Sequence, residues 1–345
     1  DETAVVFDQS VVHVYRLTMA PEDWVYLEEH GIEEQYVSAD LEMNGQQWEN
    51  IGVRHKGSYS LSSCYSMFTE ERSYEGHCQK LSLKLDFVEY NPELRFYGMK
   101  KINLHSMSAD PSKMHERLGY SVYKDMGVLV SRSAHAEVYV NDEYIGIFQA
   151  VEEVDGRFTK NRFPQTGDGN LYKEVWPNTY FDEDNVLESL ATNNNPEDNP
   201  DISDFINFRE IVLSATLDNF QAALLPMINV EQILRVLAVD RVIHNWDGPL
   251  SFYGGVNHNY YWYHDEESTK FLLIPWDMDK TFWYYDRYFY PNPAEGVTAI
   301  PGWNVKPADC SMRRFTETIG PPEEGPGRLT FVPPGCDNLI NLIAA

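Results

Sequence analysis

Basic residues are scarce in this chain. Its 345 residues include 27 lysines and arginines against 54 aspartates and glutamates, a net charge of −27. A surface of that sign repels polyanions, so nucleic acid and anionic membranes are poor partners. It attracts basic proteins and concentrates divalent cations, or does no more than keep a secreted protein soluble. No apolar run is long enough to span a bilayer. Cysteines are few: Cys64 and Cys78 make one local pair, Cys310 and Cys336 another, and none has the CxxC spacing of a zinc site. As disulfides they would fit an extracellular or periplasmic compartment; four free thiols are the alternative. There is no Asn-x-Ser/Thr sequon and no internal repeat.

Apolar residues make up 43% and charged residues 23%, the balance of a globular chain, and the length allows two lobes. The first part reads as strands. Residues 11–19 alternate, "KLSLKLDF" (Lys80 to Phe87) alternates cleanly, and residues 136–153 form a hairpin turning at Asn141-Asp142. One helix interrupts them over residues 111–126, with Asp110 as N-cap, Pro111 at the first position, Gly127 as stop and a buried stripe of Met114, Leu118 and Val122. The second part is more helical. Asn229 and Gln232 make a capping-box pattern ahead of a helix whose Ile233, Leu234, Leu237 and Val242 face a core. Residues 192–205 read as an exposed acidic loop. The fold class is therefore α+β.

The segment from Asp247 to Asp279 carries the chemistry. A helix runs into "HNWDG" (His244 to Gly248), an aromatic strand starts near Asn257 and Asn259, and "KFLL" (Lys270 to Leu273) runs into "IPWDMDKTF" (Ile274 to Phe282). In an extended chain Asp277 and Asp279 share a face, and two adjacent carboxylates call for a cation between them. An Asp in a loop, then an Asn, then an Asp after a strand is the order of parts that phosphoryl transfer by kinases uses. Here twelve residues separate Asp247 from Asn259, against about five in ordinary protein kinases, so the ordinary signature is absent. Upstream, Arg54, Lys56 and Gly57 form a basic glycine turn able to approach phosphates. Lys80, Ser82 and Lys84 share one strand face. Either lysine can reach a nucleotide or lie on a solvated face, and Glu116 can pair with it or stay exposed.

These pieces resemble the spore coat protein H (CotH) kinase family of atypical, secreted or surface-associated protein kinases. The resemblance runs from about Ile51 to Phe282. It is carried in order by "GVRHKGSYS", "KLSLKL", "NLHSMSADPSKMHERL", "YVNDEYIGIFQAVEEVDGRF", "GNLYK", "HNWDG", "HNYYWY" and "IPWDMDKTF". It implies a divergent two-lobed protein-kinase-like fold, with a strand-rich N-terminal lobe over residues 1–150 and a more helical C-terminal lobe over 151–345. It also implies ATP as donor and magnesium or manganese as cofactor. By resemblance Asp247 is the catalytic base, and Asn259 and Asp277 are metal ligands, with Asn257 a rival to Asn259. Lys80 or Lys84 lies on the phosphates and Glu152 near the nucleotide. Asp279 either joins the metal or pairs with Lys280 or Arg287. The extracellular setting of the family implies Cys64–Cys78 and Cys310–Cys336 disulfides, a secreted or surface location, a spore coat among them, and Ser or Thr of a basic secreted protein as acceptor. Two other readings remain. One is a pseudokinase that only binds nucleotide. The other is a carbohydrate-active or carbohydrate-binding protein that uses the aromatic clusters at residues 259–265 and 282–290.

Overall fold

The computed structural model describes residues 2–66, 71–108, 110–192, 200–245, 247–251, 256–282, 305–311, 313–314 and 330–344. The chain divides into two compact units. Asp1–Tyr120 with Ser131–Val154 form the first, and Ser121–Val130 with Asp155–Ala345 the second.

The first unit is built on seven strands: β1 (His13–Thr18), β2 (Val37–Met43), β3 (Gln46–Lys56), β4 (Ser82–Asp86), β5 (Lys101–His105), β6 (Ser133–Val140) and β7 (Glu143–Glu152). They close into a barrel in the order β1-β2-β3-β4-β5-β7-β6. Every pairing is antiparallel except the seam, where β1 runs parallel to β6 with His13 opposite Ala136. Closure was not expected from the sequence. The alternation in "KLSLKLDF" explains the interior: Leu83 and Leu85 are fully buried while Ser82 and Lys84 point outward. Tyr15, Leu41, Ile51, Val53, Ile102, Leu104, Val138 and Phe148 complete the core, each contributing about 1.5–3 kcal/mol relative to an exposed position. The β6–β7 hairpin turns at Asn141 and Asp142 as expected. Both have positive φ (49° and 66°), which suits the tight turn that continues the strand twist.

Helices α1 (Pro21–His30), α2 (Ser58–Cys64) and α3 (His115–Asp125) accompany these strands. Helix α3 begins a turn later than residues 111–126 implied. The Asp110 carboxylate accepts from the backbone N–H groups of Ser112, Met114 and His115. Lys113 has φ 56°, so residues 111–114 form a turn and Pro111 is not the first helical residue. The buried face also differs. Leu118 is 44% exposed, whereas Glu116, Tyr120 and Tyr123 are buried. A hydrogen-bonded carboxylate rather than an apolar stripe sets the orientation.

The second unit holds α4 (Gly156–Arg162), β8 (Leu171–Lys173), α5 (Glu183–Glu188), β9 (Leu190–Thr192), α6 (Ser203–Ser214), α7 (Phe220–Leu224), α8 (Val230–Val242), β10 (Tyr260–Asp265), β11 (Lys270–Pro275) and α9 (Asn338–Ile343). Four strands form an antiparallel sheet, β11-β10-β8-β9. Aromatic rings fill its core: Phe208 stacks on Phe271 at 4.5 Å, and Trp176 meets Trp262 at 5.3 Å. Helix α8 is tied to β11 by Gln232, whose amide donates to the Leu273 carbonyl (2.5 Å) and accepts from the Leu273 N–H (3.0 Å). Asn229 caps α8 by accepting from Gln232 N–H at 3.1 Å. Ile233 and Leu237 face the core as expected, but Leu234 and Val242 are exposed. Val236, Val239 and Asp240 take the inner positions.

Both expected disulfides are present. Cys64–Cys78 and Cys310–Cys336 have Cα separations of 5.4 and 5.7 Å, and they fit an oxidising compartment. Among the described residues no helix is long and apolar enough to cross a membrane.

Candidate functional site

In the first unit, three elements bring Lys56, His105 and Glu116 into one line. Lys56 ends β3, His105 ends β5, and Glu116 lies in the first turn of α3. Lys56 Nζ is 2.8 Å from His105 Nε2, and His105 Nδ1 is 2.7 Å from Glu116 Oε1. An ammonium can only donate, so Nε2 accepts and Nδ1–H donates to the carboxylate. A buried imidazole thus links a strand lysine to a helix glutamate. Gly57 follows at φ 110°, which L side chains rarely adopt, and turns the chain into α2.

Beside this line, Lys84 Nζ lies 2.9 Å from Glu153 Oε1, and Asn103 Nδ2 donates to Glu153 Oε2 at 2.5 Å. Burial alone would raise the Glu153 carboxyl. The charges of Lys84 and Lys56 override it and hold the group at about 2. Its neighbour Glu152, which by resemblance lies near the nucleotide, is not part of this cluster. Glu152 instead pairs with Arg132, at 2.6 Å from Nη2 and 3.1 Å from Nε. Successive residues of an extended chain face opposite ways, and Glu153, just past the end of β7, is the one that meets Lys84. Lys80 is turned away from this group: its Nζ donates to the Ile147 carbonyl and lies 4.4 Å from the Phe148 ring centre. Burial, helped by the charge of Lys113, lowers Lys80 to about 8. Arg54 is engaged by Glu34 at 2.5 Å and by the Tyr36 ring.

In the second unit, Asp247, Asn259 and the Asp277 turn are joined through Asn259. Asn259 Nδ2 donates to the Asp247 carbonyl (2.9 Å), and its own carbonyl accepts from Trp276 N–H (2.9 Å). Its N–H donates to Glu174 Oε1 at 2.9 Å. Asn257 is occupied differently. It is buried, its Nδ2 donates to the Pro249 carbonyl, and its Oδ1 accepts from Tyr260 OH. Asp277 does not continue β11 as an extended residue. It has φ 54° and leads into a single 3-10 turn over Met278–Lys280. The expectation that Asp277 and Asp279 share a strand face therefore fails, because the strand ends at Pro275. Asp279 Oδ2 is 3.6 Å from Lys280 Nζ; Arg287 lies outside the described residues. Glu174, His244, Asn259 and Asp277 all have positive φ. Non-glycine residues in that region store strain, and such residues concentrate at functional sites.

Two residues that the sequence reading passed over support this loop. Asp240, fully buried on α8, accepts from Tyr123 OH (2.5 Å) and Asn245 Nδ2 (2.8 Å). Asn245 Oδ1 in turn accepts from Asp247 N–H at 3.3 Å. Asp240 sits in an apolar helix pattern, and a charged residue on such a face was the available signal.

The aromatic run proposed for sugar binding is core. Tyr260, Tyr261, Trp262 and Tyr263 are buried in β10, and of residues 282–290 only Phe282 is described. The oxygen-only donors Asp277 and Asn259 fit a hard cation such as magnesium or manganese. With the Asn259 amide nitrogen engaged, its oxygen is the atom left to coordinate.

The model of the CotH kinase protein family matches residues 53–318. The inner spore coat protein H of Bacillus subtilis (strain 168) is 26% identical over 282 residues, covering 80% of this chain and 70% of that protein.

Proposed function

Because the chain belongs to the CotH kinase protein family, we propose that it is a metal-dependent protein kinase. It transfers the γ-phosphoryl group of ATP to Ser or Thr of a secreted or coat protein. The observation that carries this reading is the double tie of Asn259, which holds the Asp247 loop by its side chain and the Asp277 turn by its backbone. Asp247 accepts the proton of the acceptor hydroxyl and orients it. Asn259 and Asp277 hold magnesium or manganese, with Asp279 in support. The metal's chemistry is to neutralise charge on the phosphates. Lys56, beside the left-handed Gly57, binds phosphate. Its tie to Glu116 through His105 does the work of the strand-lysine to helix-glutamate pair of kinases. The lobes of this reading cover residues 1–150 and 151–345. The acidic surface, at −27 overall, favours a basic acceptor, and the two disulfides suit work outside the cytosol.

The test uses labelled ATP, each metal in turn and a basic protein acceptor. Asp247→Asn should lower transfer by about 10²–10⁴-fold, the scale of a lost general base, with little change in nucleotide affinity. Asp277→Ala should abolish metal-dependent nucleotide binding. Transfer by Asp247→Asn at the parental rate would show that Asp247 is not the base. A parent that binds nucleotide without transfer is a pseudokinase, and one that binds none with either metal ends the kinase reading.

A further inference from the structure

The carboxylate of Asp240 is wrapped by the loop that follows its own helix. Its backbone carbonyl accepts from Asn245 N–H at 2.9 Å. Its side chain accepts from Asn245 Nδ2, from Tyr123 OH and from Leu250 N–H. Gly248 passes so close that a Cβ there would lie 2.8 Å from Asp240 Oδ1 and 2.4 Å from Asn245 Nδ2. Asn245, Gly248 and Leu250 are thus gathered on one buried carboxylate, in the same loop as Asp247.

Asn245 extends the contact to the second carboxylate turn. Its Nδ2 carries two hydrogens: one goes to Asp240, and the other faces Met278 Sδ at 3.9 Å. Met278 lies between Asp277 and Asp279. Phe282 N–H donates to the Ile243 carbonyl at 2.5 Å, a second tie between the same two segments. Asn245 therefore touches the anchor, the backbone of Asp247 and the residue after Asp277 at once.

We propose that Asp240 and Asn245 are positioning residues that lock the Asp247 loop and the Asp277 turn into one arrangement, an inference that rests on the kinase reading for what the loop does. All the side chain's partners are donors, so they grip the ionised carboxylate more strongly than the neutral acid. The titratable and charged groups facing Asp240 are Tyr123 from α3 and Arg241 from its own helix. Burial pushes the Asp240 carboxyl up to about 7 against the pull of these donors and of Arg241, and among the described residues its Oδ2 has no hydrogen-bond partner. The sign follows: the grip is strong above that pH and loosens as pH falls through it.

Three variants test this by hydrogen exchange and phosphoryl transfer. Asn245→Ala should speed exchange in residues 245–251 and 276–282 together and lower transfer roughly ten- to a hundredfold, as for other supporting residues around a site. Nucleotide affinity should stay within about twofold of the parent, because the phosphate and metal ligands are intact. Parental exchange in either segment overturns the lock. In the parent, transfer should rise with pH through about 7, and Asp240→Asn should remove that rise. A rise that persists in Asp240→Asn overturns the role of Asp240. If that variant does not fold, Tyr123→Phe deletes one donor and should move the rise to higher pH; an unmoved rise counts against the proposal. A parent with no transfer at any pH defeats the kinase reading instead, and the exchange measurements still decide the lock.

Discussion

Replacing Lys84 by Met isolates what the Glu153 cluster contributes. Glu153 is held at about 2 against an ordinary value of 4.5. A gap of that size corresponds to about 3 kcal/mol of stability by linkage, trimmed to about 2–3 kcal/mol because part of the side chain meets solvent. The folded value is the lower one. The contribution is therefore complete above the unfolded value and is lost as pH falls from 4.5 toward 2. Without Lys84, the carboxylate keeps Asn103 and the more distant charge of Lys56. Stranding a mostly buried charge in this way costs about 2–4 kcal/mol at neutral pH. Lys84→Met should lower the unfolding free energy read from urea titration at pH 7 by that amount. The deficit should shrink below pH 4, and Lys84→Met combined with Glu153→Gln should recover most of it. Exchange protection of β4 and β5 reports the first unit by itself, which matters because a chain of two units need not unfold in one step. A deficit under about 0.5 kcal/mol, the ordinary surface level, or one equally large at pH 3, would refute the argument.

Two further outcomes follow from the same unit. Converting Cys64 and Cys78 to Ser opens a crosslink between residues 14 apart and should cost about 3 kcal/mol. Reducing agent should lower the parent's melting temperature by more than the double variant's, because in the double variant only Cys310–Cys336 is left to open. Gly57→Ala puts a side chain at φ 110° and a Cβ 2.6 Å from Ser60 Oγ. It should cost about 1–3 kcal/mol, and since much of that is backbone strain, adding Ser60→Ala should restore only part of it in a urea titration.

Local rules carried some elements of this structure into view and not others. Asn141-Asp142 announced its hairpin because few residue pairs tolerate two positive φ values in a row. The leucines of β4 announced their buried face through strict alternation. Apolar period misplaces the inner face of helix α3, because that face is organised by Glu116 bonded to His105. Neither residue's partner is visible from its own neighbourhood. Following a strand, Asp277 reads as extended. Its left-handed backbone follows directly on Trp276, whose N–H donates to Asn259, seventeen residues earlier. Within the candidate site the residue types and their order were legible. That Glu153 meets Lys84, and that Asn259 bonds to the Asp247 carbonyl while Asn257 does not, shows only in hydrogen-bond partners, which sequence order does not contain.

The parallel seam of the barrel has a consequence for how the chain is made. Strand β1 meets β2 soon after it is synthesised, but its other neighbour, β6, lies more than a hundred residues downstream. Until the ribosome has delivered that strand, β1 is an open edge, with its outer row of N–H and C=O groups exposed to any passing strand. The entropy of closing so long a loop makes this the last and slowest pairing of the unit. A nascent chain of this kind is therefore most exposed to mispairing just before residue 140 emerges, and sealing the seam removes both edges in a single event.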